Sequence, residues 1–251
     1  MVGFLRLVRK DLEAIRWSTG IIMGAVLGLL VFLRFKLAAG WSEQLVSVWM
    51  TIPLMFLPFW LLWQSFQGLR TEWRDDTIYT LLSLPVPGWQ VTLAKLTTVI
   101  VEYTLLAGVI VFGNLILNPL VKGFAAEFPV MWLIRNGLLI YLTLLGHIAF
   151  FVVLIQLAFV VSKMVGRVQA LVALWALFLS LWLTTRVGEL LAPAFRWLPP
   201  IPLHRVFKLE EIGRGAVTAN IALAPQVGRW LLAFALFCLT GYLLENFVEA
   251  N

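Results

Sequence analysis

Six long apolar runs constrain the fold of this chain more than any other feature. They cover residues 17–35, 46–66, 91–117, 138–161, 170–185 and 230–247. A helix rises about 1.5 Å per residue, so about 20 residues cross the roughly 30 Å of bilayer hydrocarbon. Composition agrees, because 61% of the residues are hydrophobic, against about 45–50% in soluble domains. The sequence therefore predicts an all-α polytopic membrane protein with six transmembrane helices.

The distribution of Lys and Arg predicts which side of the membrane each loop faces. If both termini are cytoplasmic, nine of these residues lie on the inner side and four on the outer side, with the ambiguous 186–229 connection left out. The inner set is Arg6, Arg9, Lys10, Arg16, Arg70, Arg74, Lys95, Lys163 and Arg167, and the outer set is Arg34, Lys36, Lys122 and Arg135. Cytoplasmic loops are enriched in basic residues. We therefore expect a multi-pass protein of the cell membrane with both termini cytoplasmic. The scattered positive charge does not indicate a nucleic-acid partner.

Two segments outside the spans have predicted structures of their own. Residues 1–16 alternate apolar and basic side chains at helical spacing, which is typical of an amphipathic helix lying in contact with membrane lipid at the interface. A simple orienting flank for the first span is the alternative. The 186–229 connection contains apolar pieces that are too short to cross the membrane and are broken by prolines. We expect it to be re-entrant or interfacial structure on the outer side, or else an ordinary structured loop.

A polar block at residues 69–87 separates the second and third spans. Its first half carries five charges, which at about 2.5–3.5 kcal/mol each are too costly for the bilayer centre. These are Arg70, Glu72, Arg74, Asp75 and Asp76. The second half places Ile78, Leu81 and Leu82 at the spacing of one helix face before Pro85. The block therefore predicts a short amphipathic helix outside the bilayer that docks on a partner.

Two further patterns lie inside the spans. Glu102, His147 and Gln156 are polar groups at membrane depth, where such residues mark a transport pathway or form hydrogen bonds with a neighbouring helix. Gly20, Gly24 and Gly28 recur at every fourth residue of the first span and so lie on one helix face. This spacing predicts close packing against another helix. Its partner is a helix of this chain or of a second copy.

No enzymatic constellation emerges from the sequence. It contains neither a G-x-x-x-x-G-K-[ST] phosphate loop nor an H-E-x-x-H metal motif, and it has only two histidines. We therefore expect no enzyme activity, no metal site and no bound cofactor in this chain. If ATP drives its function, another chain must bind the ATP.

The polar block and the start of the third span contain a sequence motif that resembles one of a known protein family. Glu72, Thr77 and the run LLSLPV at residues 81–86, followed by Ala94 and Lys95, are similar to the E…GT…LLSLPVS…AK stretch of permease subunits of type-2 ATP-binding-cassette (ABC) exporters. Asp76 replaces the usual Gly, and Pro87 replaces a usual Ser or Thr. The family layout also agrees: an N-terminal interfacial helix, six spans, a coupling helix after the second span and a structured outer region before the sixth.

The resemblance implies a function and a set of partners. A coupling helix beginning at Glu72 would dock on a cytoplasmic ATPase subunit, present in two copies, which would bind ATP and Mg²⁺. The implied coupling residues are Glu72, Asp75, Asp76, Thr77, Ile78, Leu81, Leu82 and Pro85. The chain would pair with a second permease, identical or homologous, and export a lipophilic or amphipathic substrate such as a drug, a peptide antibiotic or a lipid. An ion-coupled secondary carrier that uses Glu102 and His147 is the alternative.

Overall fold

The computed structural model describes residues 2–75, 86–127, 129–165, 168–198, 201–202 and 220–246. The helices are α1 (Val2–Ala38), α2 (Glu43–Arg74), α3 (Gly88–Leu117), α4 (Pro119–Ala126), α5 (Val130–Met164), α6 (Gln169–Leu191) and α7 (Leu223–Asn246). A 3₁₀ turn at Ala192–Phe195 follows α6, and the strands β1 (Ile201–Pro202) and β2 (Asn220–Ile221) form a two-residue antiparallel pair. Short non-helical segments, such as residues 39–42 and 86–87, connect these elements.

Six of these helices confirm the six predicted spans. The helices α1, α2, α3, α5, α6 and α7 are each long and apolar enough to cross a membrane. All six extend beyond at least one end of the corresponding apolar run. Polar residues beyond the hydrocarbon can continue a helix at no cost to membrane insertion, so hydropathy alone places helix ends too close to the bilayer centre.

The first helix joins two segments that the sequence separated. Residues 2–16, predicted as an interfacial element, and residues 17–35, predicted as a span, form the single 37-residue helix α1. At 1.5 Å per residue it is about 55 Å long. Its first turns therefore extend along the axis of the first span without a break in the helix.

The second helix corrects the predicted start of the coupling helix. Residues 69–74 are the last turns of α2, and the Asp75 amide donates to the Thr71 carbonyl oxygen at 2.9 Å to close the helix. Glu72 therefore belongs to α2 rather than opening a new helix. Residues 76–85, which carry most of the predicted coupling residues, lie outside the described residues.

The chain divides into two compact units, of which residues 1–152 form the first. Here α1, α2 and α3 pack around a core whose most deeply buried side chains include Leu30, Met50, Leu61 and Leu106. At one end of this core, two asparagines satisfy backbone groups of α2. The Asn114 and Asn118 amides donate to the carbonyl oxygens of Met50 (3.1 Å) and Ser47 (3.2 Å). These bonds fix the register of α2 against α3.

The second unit, residues 153–251, depends on a close contact between α6 and α7. A Cβ atom at Gly228 would lie 3.0 Å from the Gly188 Cα, and one at Gly188 would lie 2.7 Å from the Pro225 carbonyl oxygen. Only glycine allows the two backbones to approach this closely. Parts of the predicted 186–229 connection therefore belong to these helices, since α6 ends at Leu191 and α7 begins at Leu223. Residues 199–200 and 203–219 of that connection lie outside the described residues.

The glycine face of α1 has a different environment. A Cβ atom at Gly20, Gly24 or Gly28 would meet no atom of the described chain within 4 Å. The described residues thus supply no close partner for this face. Packing against a second copy stays a prediction.

We expect Gly188→Ala to destabilise the protein, because the new methyl group meets the backbone of α7 and overpacking costs about 1–3 kcal/mol. The matched control is Gly24→Ala, which adds the same methyl group in open space. The measurement is the midpoint of thermal unfolding of each purified variant in detergent. Gly188→Ala should lower the midpoint, whereas Gly24→Ala should leave it unchanged or raise it slightly. Equal midpoints would contradict the close contact.

Candidate functional site

A polar cleft lies among α1, α2 and α3, near the end where α2 finishes and α3 begins. Its volume is about 460 Å³, which is within the range of about 300–1,000 Å³ typical of small-molecule sites. Charged and amide side chains from all three helices line it, including Lys10, Asp11, Gln64, Glu72, Lys95 and Glu102. We call this the polar cleft.

Helical spacing explains why these side chains converge. Gln64, Gly68 and Glu72 recur at every fourth residue of α2, and Lys95 and Glu102 are separated by seven residues of α3. Both spacings place residues on one helix face. The cleft therefore forms where one polar stripe on α2 and another on α3 face each other beside the first turns of α1.

Four charged residues form one end of the polar cleft. The Glu72 carboxylate binds the Lys10 ammonium at 2.9 Å through Oε1 and the Lys95 ammonium at 3.0 Å through Oε2. Asp11 lies farther from both lysines, at 3.8 Å from Lys95 and 3.9 Å from Lys10. Lys95 also donates to the Gly68 carbonyl oxygen at 3.4 Å. This charged cluster of Lys10, Asp11, Glu72 and Lys95 connects α1, α2 and α3.

Burial distinguishes the Glu72–Lys95 pair from the neighbouring Arg74–Asp75 pair. The side chains of Glu72 and Lys95 are 9% and 11% exposed, whereas those of Arg74 and Asp75 are 71% and 47% exposed. An exposed pair contributes little to stability because water and salt screen it. A buried pair gains little over apolar packing, but losing one partner leaves a charge without compensation, which is strongly destabilising.

The end of the cleft opposite the charged cluster contains Glu102, which is 1% exposed. Its Oε1 accepts hydrogen bonds from the Thr19 hydroxyl of α1 (2.9 Å) and the Trp60 indole of α2 (3.1 Å). Among the described residues, its Oε2 has no hydrogen-bond partner. Glu102 follows Lys95 by seven residues, or about 10 Å along the axis of α3. Glu102 therefore forms hydrogen bonds with neighbouring helices, which was one of the two roles predicted for it. Its Oε2 remains an acceptor without a hydrogen bond among the described residues.

The other two candidate pathway residues lie on α5. The His147 Nδ1 atom is 2.7 Å from the carbonyl oxygen of Thr143, in the preceding turn of the same helix. His147 is not among the described residues that line the polar cleft. Gln156 belongs to the second unit and is 1% exposed. The polar cleft thus includes Glu102 without His147.

Only two of the predicted coupling residues lie in the described part of the chain. Glu72 is buried in the charged cluster, so its carboxylate contacts lysines of this chain rather than presenting an exposed docking surface. Asp75 is exposed and pairs with Arg74 at 2.9 Å. The remaining six, Asp76, Thr77, Ile78, Leu81, Leu82 and Pro85, lie outside the described residues.

Sequence reasoning missed most of the cluster and the donors to Glu102. Lys10 was predicted as a topology signal on an amphipathic helix, and Lys95 as a topology signal and the end of the family-like motif. Asp11, Thr19 and Trp60 had no predicted site role. One signal for an ion pair was available in the sequence. Glu72 is an anion, Lys10 and Lys95 are cations, and all three were predicted on the same side of the membrane. Their direct contact depends on how the three helices rotate against one another.

Comparisons of the chain with protein-family models, curated proteins and solved structures find no match. Within the described residues, no group of three or more His, Cys, Asp or Glu side chains could hold a metal ion. The polar cleft thus combines ammonium groups and carboxylates held in ion pairs with one buried acceptor, Glu102 Oε2, that has no hydrogen bond among the described residues.

We expect Lys95→Met to destabilise the protein by roughly 3 kcal/mol, because it leaves the buried Glu72 carboxylate with one ammonium fewer. Arg74→Met is the matched control, since it removes a cation from the neighbouring exposed pair and should change stability by less than about 1 kcal/mol. Thermal unfolding of the purified variants in detergent measures the difference. Similar losses for both variants would show that the Glu72–Lys95 pair is not structurally important.

Proposed function

We propose that this chain is the membrane-spanning subunit of an ATP-driven ABC exporter. It forms the translocation pathway together with a second permease chain, identical or homologous, and couples to two separate ATPase subunits in the cytoplasm. Its cargo is a lipophilic or amphipathic molecule. The observation that carries this proposal is the segment between α2 and α3, whose Leu81-Leu82-x-x-Pro85 core resembles the coupling segment of type-2 exporter permeases.

The flanks of this segment support a coupling role. Glu72 lies on the last turn of α2 and Lys95 on the second turn of α3, and their carboxylate and ammonium are 3.0 Å apart. The two helix ends that bracket residues 76–85 are therefore held together by a buried ion pair. Lys10 adds α1 to the same contact at 2.9 Å. A force on residues 76–85 would thus act on three helices together.

ATP binding and hydrolysis would then change the populations of two arrangements of these helices. A ligand or partner shifts such an equilibrium only by contacting the two states differently. In this proposal, the leucines of the segment supply the docking area and the charged cluster transmits the movement. Under the predicted topology, the polar cleft opens towards the cytoplasm, where an exporter receives its cargo.

The ion-coupled carrier receives less support from the geometry. It requires Glu102 and His147 to act along one pathway. The His147 ring instead contacts a carbonyl oxygen of its own helix, and His147 does not belong to the described lining of the polar cleft. We therefore retain the ABC exporter subunit as the proposed function.

The proposal is tested by co-expressing the chain with an ABC ATPase encoded beside it. We expect the two chains to copurify, and we expect the double substitution Leu81→Asp and Leu82→Asp to abolish copurification and coupled ATP turnover. Two charges would then occupy positions that must be buried in the partner. Pull-down and ATPase measurements on reconstituted protein report both effects.

Leu5→Asp is the matched control, because it makes the same change at an exposed position of α1 on the same predicted side of the membrane. This variant should retain the ATPase. Unchanged association and coupled turnover after the double substitution would overturn the coupling role of the segment.

A further inference from the structure

We propose that the polar cleft binds the primary ammonium group of an amphiphilic ligand, with Glu102 Oε2 as its acceptor. The inference deepens the proposed function by naming a cargo class, and its transport role rests on that function. Binding itself is a property of this chain alone and can be measured without an ATPase.

The first argument is the incomplete hydrogen bonding of Glu102. Both donors to its carboxylate, the Thr19 hydroxyl and the Trp60 indole, are neutral and bind the same oxygen. Among the described residues, no group donates to Oε2, although the side chain is almost completely buried. Burying a carboxylate without full hydrogen bonding is costly, and a charged donor provides the strongest compensation. The site therefore favours a cationic N–H donor.

The second argument is that the lysines of the cleft have other partners. Lys10 and Lys95 bind the two oxygens of Glu72 at 2.9 and 3.0 Å. Lys95 has the Gly68 carbonyl oxygen as a further acceptor. Moving the ammonium group of either lysine to Glu102 would break its ion pair with the buried Glu72 carboxylate. A cation supplied from outside the chain avoids this cost.

The third argument is the overall charge of the cleft. Its described lining includes four carboxylates, those of Asp11, Glu72, Asp75 and Glu102, against the two ammonium groups of Lys10 and Lys95. Arg74, which lies outside this lining, neutralises Asp75 at 2.9 Å. The three remaining carboxylates exceed the two ammonium groups by one when all five are ionised. This net negative charge attracts cationic ligands.

The fourth argument concerns the class of cation. A primary ammonium carries three N–H donors, whereas a quaternary ammonium has none and cannot satisfy Oε2. The Gln64 amide oxygen provides a further acceptor in the wall of the cleft, since its amide nitrogen donates to Ser18 at 3.4 Å. Ala14, Ile15 and Val99 contribute apolar surface beside these groups. Together they fit an alkyl chain that ends in a primary ammonium.

The experiment measures binding of monodansylcadaverine, a fluorescent primary ammonium on an alkyl chain, to the purified chain in nanodiscs of neutral lipid. The comparison ligand is its N-acetyl derivative, which keeps the chain and the fluorophore but has no charge. We expect the ammonium form to bind roughly 10-fold or more tightly, as for a hydrogen bond to a buried charged group. Glu102→Gln should abolish this preference. Glu127→Gln, at an exposed position, should retain it.

A second measurement does not depend on the folding of a variant. Pentylamine should displace the same probe from the wild-type chain in a competition titration, whereas 1-pentanol, which has the same alkyl chain without the ammonium group, should not displace it. Equal binding of the two probes, an unchanged preference in Glu102→Gln, or equal displacement by pentylamine and 1-pentanol would each overturn the proposal.

The two proposals fail separately. The binding experiment contains no ATPase, so a negative result would exclude this cargo class and leave the exporter assignment intact. Selective binding by a chain that does not associate with an ATPase would retain the ammonium site and exclude the exporter.

Discussion

The contact of the buried Glu72 carboxylate with two lysines is the interaction on which the arrangement of the first unit most depends. A buried carboxylate must be hydrogen-bonded or compensated by charge, and here Lys10 and Lys95 compensate it at 2.9 and 3.0 Å. Each partner comes from a different helix, so the pairing restricts the rotation of α1, α2 and α3 about their axes. Apolar contacts between these helices tolerate several rotations, because one leucine can replace another. The charges therefore specify an arrangement that the apolar core alone would leave less defined.

Much of the architecture could be predicted from the sequence, because membrane insertion depends on local hydropathy. All six spans are helices in the structure, and their sustained hydropathy was sufficient to locate them, even though the third span contains Lys95 and Glu102. Their ends were less accurate: residues 69–74 continue α2 since helical hydrogen bonding does not stop where lipid stops. The same reason explains why residues 2–16 belong to α1.

The contacts within the site could not be predicted in the same way. Lys10 and Glu72 are 62 residues apart in sequence, and no spacing rule connects them. The glycines illustrate the same difficulty. The pattern on α1 predicted close packing at Gly24, and its packing against a second copy stays a prediction. Gly188 and Gly228 of the second unit, which the sequence pattern did not indicate, make a tight contact within the chain. Small residues permit close approach, while the surrounding shape of two helices decides whether it occurs.

The charged cluster and Glu102 are connected through shared helices. Lys10 and Thr19 both belong to α1, Glu72 and Trp60 to α2, and Lys95 and Glu102 to α3. Every helix that contributes to the cluster thus also contributes a group to the environment of Glu102. A helix moves largely as a rigid body, so separating the cluster would also displace the donors to the Glu102 carboxylate. A ligand bound at Oε2 and a partner acting on residues 76–85 would therefore influence each other's affinity to the same extent, as thermodynamic linkage requires.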